Sequence, residues 1–168
     1  MINKIIFVWL FSFGLCTLHA QPQIDTVPPY KKDNRMPDFK ILQMNNNWVS
    51  RDQLPKRDYT VIVYFSPDCG HCQHEVKEMI KKMDQLSKVN LVWASYKSVE
   101  EIREFYLKYQ MNKYSNMYVG REPTYKLPSF YRVKFTPFVA VYDKKGLFIK
   151  AYEGGVEMND LLLLLKLN

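Results

Sequence analysis

The stretch Val61-Ile62-Val63-Tyr64-Phe65-Ser66-Pro67-Asp68-Cys69-Gly70-His71-Cys72-Gln73-His74-Glu75 decides the fold. Its first residues are β-branched and aromatic, the composition of a buried strand, and Ser66-Pro67-Asp68 reads as a turn. From Cys72 onward, apolar positions recur at helical spacing through Val76, Met79, Ile80, Met83 and Leu86. Lys77, Glu78, Lys81, Lys82 and Asp84 fill the opposite face, so this is a half-buried helix. A strand therefore delivers two thiols to a helix start.

That position favours thiol–disulfide exchange. Exchange needs a thiolate, whereas a free cysteine has a pKa near ~8.5. Unpaired N–H groups and the positive end of the helix dipole favour a negative sulfur at Cys69, the expected nucleophile. His71 can add positive charge or a hydrogen bond to the thiolate, while Asp68 opposes it as a neighbouring negative charge. Cys72, one turn deeper on the apolar face, is the expected resolving thiol. Glu75 follows Cys72 by three residues and lies beside it on the helix. From spacing alone two roles stand open for it: moving protons to and from Cys72 with a pKa raised by burial, or complementing the helix dipole as an ordinary first-turn acid.

Other chemistries for the same residues fit less well. An inert disulfide across a two-residue loop gains little chain-entropy stabilisation. Cys69, His71, Cys72 and His74 are all metal ligands, but structural zinc sites draw on two separated pairs and consecutive helix positions surround one ion poorly. Haem attachment is excluded because Gln73, not histidine, follows Cys72.

On either side of this stretch the chain alternates strands and helices. Phe39 to Met44 has strand character, Asn45-Asn46-Asn47 turns, and Trp48-Val49 begins a return strand. Asn90 to Tyr96 is a strand, and Ser98 with Glu101 forms the capping-box pattern ahead of the stripe Ile102, Phe105, Tyr106 and Tyr109. The tyrosine-rich segment 111–130 is read as irregular, with a helical turn near Pro128. Its aromatic residues read as core, with a client-binding groove between Tyr106 and Tyr131 as the alternative. Thr136-Pro137 precedes a strand over Phe138 to Tyr142. Asp143-Lys144-Lys145-Gly146 turns into a strand over Leu147 to Tyr152, and Glu157 to Leu167 closes as a helix.

The chain has 168 residues and three cysteines. Residues 1–20 carry Lys4, an apolar run from Ile5 to Leu18 and a small residue at Ala20, the pattern of a signal peptide cut after Ala20. The run is shorter than the roughly 20 residues a membrane span needs. Cys16 makes lipid modification a rival, although Leu15 before it is larger than that signal favours. Cleavage leaves Cys69 and Cys72 as the only thiols, too few for a disulfide framework, so a close pair in an oxidising compartment reads as working chemistry. Residues 21–36 read as a flexible tether and 37–168 as one domain. The formal charge of +7 is interleaved with acids, which describes a solvated basic surface and not a nucleic-acid site.

The order of hairpin, β-α-β-α and β-β-α, with Cys-Gly-His-Cys after the first central strand and Thr136-Pro137 before the late hairpin, resembles a thioredoxin fold. The fold class is then α/β, a central mixed sheet flanked by helices with an N-terminal β-hairpin extension. Cys69, Cys72 and Glu75 are similar to the pattern of TlpA/ResA-type exported thioredoxin-like proteins of bacteria, where a glutamate at this offset sits beside the active-site cysteines. The resemblance implies the proton-moving role for Glu75. It also implies a cis Thr136-Pro137 bond facing the dithiol, with the Thr136 backbone pairing to the substrate chain.

The sequence departs from cytosolic thioredoxin at Val63, where that protein has a buried aspartate, and at Asp68, where it has tryptophan. Gly70-His71 is like protein disulfide isomerase, and His71 should make the couple more oxidising. The threonine-bearing proline loop of peroxidases is absent from Ser66-Pro67-Asp68. The expectation is an exported oxidoreductase of the bacterial periplasm exchanging disulfides with proteins. No nucleotide, flavin or haem signature is present, so no cofactor is expected, and electrons come from or go to another dithiol protein. Nucleic acid is not an expected partner, and a membrane would be met only through an uncleaved or lipidated N-terminus. The alternatives are metal binding or delivery through Cys69, His71, Cys72 and His74, and a scaffold whose dithiol is incidental.

Overall fold

Strand β3 (Tyr59–Tyr64) is buried from Thr60 onward because its side chains serve two cores at once. Val61, Val63 and the following Phe65 enter one, and Ile62 and Tyr64 enter the other. The structure is a computed structural model, and it describes residues 26–167. Ahead of β3 come helix α1 (Pro29–Lys32) and strands β1 (Lys40–Gln43) and β2 (Trp48–Ser50). After it follow α2 (Gly70–Ile80), β4 (Val89–Ser95), α3 (Val99–Lys108), β5 (Met117–Arg121), α4 (Lys126–Tyr131), β6 (Phe138–Asp143), β7 (Phe148–Glu153) and α5 (Met158–Leu164).

The strands form one seven-stranded mixed sheet in the order β2-β1-β5-β4-β3-β6-β7. β3, β4 and β5 run parallel, while β1, β2, β6 and β7 add antiparallel on either side. Strands covered on both faces read as continuous apolar runs, as β3, β4 and β6 do. Val76 and Met79 of α2, Phe105 of α3 and Leu161 of α5 cover one face, centred on Phe65 and Trp93. Tyr30 of α1 and Leu127 and Tyr131 of α4 cover the other. The expected α/β architecture with its edge hairpin is therefore present, and so is the capping box. The Ser98 hydroxyl accepts from the Glu101 N–H at 3.2 Å, and the Ser98 N–H donates to the Glu101 carboxylate at 3.0 Å.

Three expectations are corrected. The tether read over 21–36 is ordered from α1 onward. Tyr30 and Met36 are buried, the Met36 N–H donates to the Gly146 carbonyl at 2.8 Å, and Arg35 pairs with Leu147. The segment 111–130 is not irregular: it supplies β5, inserted between β1 and β4, and the start of α4. Its strand signal is interrupted by Gly120, where a Cβ would stand 2.6 Å from the Leu42 carbonyl oxygen, so the residue that weakens the local pattern lets β1 approach. Finally, α2 ends at Ile80, and Met83 and Leu86 reach the core from turns beyond it. The signal-peptide reading of 1–20 lies outside the described residues. Among the described residues no helix is long and apolar enough to cross a membrane.

Candidate active site

The turn after β3 is held from both sides. The Phe65 N–H donates to the Ala94 carbonyl at 3.0 Å, extending the β3–β4 ladder, and the Cys69 N–H donates to the Ser66 carbonyl at 3.1 Å. The Gln73 amide reaches back to the Pro67 carbonyl at 3.0 Å. The Ser66 hydroxyl donates to one Asp68 oxygen, and Lys97 Nζ lies 3.0 Å from the other. First the Ser66 bond and then Lys97 hold the Asp68 carboxyl below its ordinary range. Lys97 also stands 3.5 Å from Glu101, so α3 is tied to the turn.

Cys69 is the N-cap residue of α2, half-buried, and Cys72 is fully buried one turn on; both are free thiols. Burial alone would raise the Cys69 pKa. Hydrogen bonding from the Cys72 N–H, the Cys72 thiol, the Thr136 side chain and the His71 N–H outweighs it and holds Cys69 below the usual thiol range. Burial pushes the Cys72 thiol up to about 12. The Thr136-Pro137 bond is cis, and Cys69 Sγ lies 3.3 Å from the Thr136 carbonyl oxygen, to which the thiol donates.

Glu75 is 5% exposed, next to Cys72 on the helix. Its Oε2 accepts from the Val156 N–H at 3.1 Å, while Oε1 has no partner. Burial raises its pKa, the Val156 bond lowers it and the Glu157 charge raises it again, leaving it at about 7. Gly155 makes room for this carboxyl. A Cβ there would stand 2.7 Å from Glu75 Oε2 and 3.5 Å from Pro137 Cγ, and its φ of +113° suits only glycine. Two distant segments, α2 and the β7–α5 connection, thus close around one carboxyl, with the proline loop packed beside Gly155.

The model of the AhpC/TSA family matches residues 33–161. The chain belongs to the AhpC/TSA family. Solved structures similar to this AhpC/TSA chain share its fold at low identity. A secreted Mycobacterium tuberculosis disulfide oxidoreductase homologous to E. coli DsbE has a TM-score of 0.64 at 15% identity, covering 76% of this chain and 94% of that one. The exposed lipoprotein thioredoxin Etrx1 of Streptococcus pneumoniae has a TM-score of 0.61 at 19% identity, covering 77% and 98%. A peroxiredoxin-like protein from Aquifex aeolicus has a TM-score of 0.65 at 16% identity, covering 79% and 84%. Curated proteins give no match.

In this AhpC/TSA chain, Cys69 meets Thr136 beside the cis Pro137, Cys72 and Glu75 follow on the same helix, and Asp68 borders them. The His71 backbone N–H serves Cys69, while its side chain is exposed with His74 on the rim of a 550 Å³ cavity bordered by Glu75 and Glu78. Among the described residues no three His, Cys, Asp or Glu side chains converge to hold a metal ion. The thiols face Thr136 and the core, and the histidines face solvent. Sequence reasoning missed Lys97, Gly155 and Val156. Gly154-Gly155 followed by an apolar residue was the available signal, but it reads equally well as a chain break.

Proposed function

We propose that this AhpC/TSA chain is an exported thiol–disulfide oxidoreductase that acts on proteins through its Cys-Gly-His-Cys dithiol. The observation that carries this reading is the split between two thiols one helical turn apart, Cys69 held below the usual range at the surface and Cys72 pushed up to about 12 beneath it. Such a pair has one sulfur ready to attack and one that keeps its proton until needed.

The Cys69 thiolate attacks a client disulfide, forming a Cys69–client disulfide and expelling the second client sulfur as a thiolate. Cys72 passes its proton to Glu75 and attacks the Cys69 sulfur. The client's remaining sulfur leaves as a thiolate, and both client thiolates take up protons. Two electrons have moved from the dithiol to the client disulfide; run backwards, the same steps oxidise a client dithiol. A carboxyl with a pKa of about 7 suits proton traffic near neutrality. By resemblance, the Thr136 backbone pairs to the client chain beside Cys69. A second dithiol or disulfide protein restores the starting state. The secreted and exposed-lipoprotein neighbours support export, as does the reading of residues 1–20.

The test is a trapping experiment with a disulfide-bonded peptide. Cys72→Ser should accumulate a mixed disulfide with it, and Cys69→Ser should not. Failure of Cys72→Ser to trap any disulfide, or full turnover by Cys69→Ser, would overturn the reading. Equilibration of the native pair against glutathione then gives the potential, and with it the direction of electron flow.

A further inference from the structure

The strands β3, β4 and β5 are parallel neighbours, so their C-terminal ends open on one edge of the sheet, where α/β folds bind ligands. The turn after β3 carries Cys69. The turn after β4 carries Tyr96 and Lys97, and the turn after β5 carries Tyr125. These turns are joined side by side. Lys97 Nζ is 3.0 Å from Asp68 Oδ2 and 5.6 Å from the Tyr96 ring centroid. The Tyr96 ring stacks on Tyr125 with centroids 5.8 Å apart and an interplanar angle of 30°.

The tyrosine pair serves no core. Tyr96 is 37% and Tyr125 54% exposed. Tyr125 holds its ring there from a left-handed backbone with a φ of 54°, a genuine outlier for a bulky side chain. The conformation is enforced by Glu122, fully buried, which accepts from the Thr124 N–H at 2.9 Å and the Leu127 N–H at 3.3 Å. Beside the pair the buried Tyr64 hydroxyl has no partner, and both rings are close enough to bear on its ionisation. A strained residue that exposes an aromatic ring and enters neither core calls for a functional reason.

We propose that the Tyr96–Tyr125 pair is a subsite for an aromatic side chain of an extended client segment, close in sequence to the client's reacting cysteine. The inference rests on the oxidoreductase reading, because exchange requires the client sulfur to sit on Cys69 Sγ. The chain flanking that sulfur must then cross neighbouring turns. In one direction it meets the cavity bordered by Glu75, Glu78 and Glu157, and in the other it meets Lys97 and the stacked rings. Strands are spaced by about 4.8 Å, so the turn two strands from β3 is about 10 Å away, roughly three residues of extended chain. An aromatic ring landing there extends an existing offset stack.

The experiment uses Cys72→Ser and peptides whose single cysteine is a mixed disulfide with thionitrobenzoate. The Cys69 thiolate attacks the peptide sulfur, and thionitrobenzoate leaves and is read by its colour. Peptides carry tryptophan or serine three residues before or after the cysteine. In one of the two placements the tryptophan peptide should react about three- to tenfold faster. Adding Tyr125→Gly relieves the positive φ, so the melting temperature should hold or rise while the preference falls to about one. The rate with hydroxyethyl disulfide should stay unchanged. A purely structural Tyr125 would show no loss of preference. Equal rates for tryptophan and serine peptides in both placements, or a preference that survives Tyr125→Gly, would overturn the subsite and leave the oxidoreductase reading standing. No reaction with hydroxyethyl disulfide or any peptide would overturn both.

Discussion

Glu75 is the residue whose environment most affects the proposed chemistry. An exposed carboxyl ionises near 4.5, and burial beside Gly155 and Val156 pushes Glu75 to about 7. Between those values the native protein binds more protons than the unfolded chain. Stability from this group is complete below about pH 4.5 and is lost as pH rises through about 7. Glu75→Gln keeps the acceptor for Val156 without the charge. In urea denaturation it should match the parent near pH 4 and exceed it by about 3 kcal/mol above pH 8. Its exchange rate should fall by about 10- to 100-fold and lose the inflection near neutrality. An unchanged pH profile would remove Glu75 from the proton path and leave it as a helix-dipole acid. Cys69, Cys72 and Glu75 were legible from spacing, because neighbours on one helix turn are set by local geometry. The pKa of Glu75 was not, because the group that bonds it lies 81 positions away.

Among the elements, α1 shows what short length conceals. Four residues are too few to show a helical period, and a proline- and lysine-rich neighbourhood reads as linker. Tyr30 nevertheless packs edge-on to Tyr131 at 5.8 Å, Phe138 at 6.0 Å and Phe148 at 5.3 Å. Tyr30→Ala should therefore cost about 3 kcal/mol in equilibrium unfolding, whereas a residue in a free tether would stay within about 0.5 kcal/mol. β5 was concealed differently. It is a central strand whose pairing partners β1 and β4 lie far off in sequence, and its glycine is required by the approach of Leu42 rather than by any turn. The β3, β4 and β6 segments were legible because burial on both faces leaves an unbroken apolar run.

For the whole molecule, the sheet gathers the dithiol turn, the cis-proline loop and the tyrosine pair on one edge. The proposed export bears on this arrangement because a free dithiol works only against the redox poise of its compartment. Purified from a periplasmic extract, the protein should begin at Gln21 when its N-terminus is sequenced. A chain still beginning at Met1, or one lipidated at Cys16, would place it on the membrane instead.

The sequence by itself determined the chemistry and its immediate setting: a thiol pair at a strand-to-helix turn, a carboxyl beside it, a capped α3 and strands apolar enough to be covered twice. All of these depend on residues within a turn or two of each other. Only the tertiary structure decided that Gly155 and Val156 enclose Glu75, that β5 enters the sheet and that Tyr96 stacks on Tyr125. Those contacts join segments far apart in the chain, and desolvation and close approach depend on what folding brings together, which no local period records.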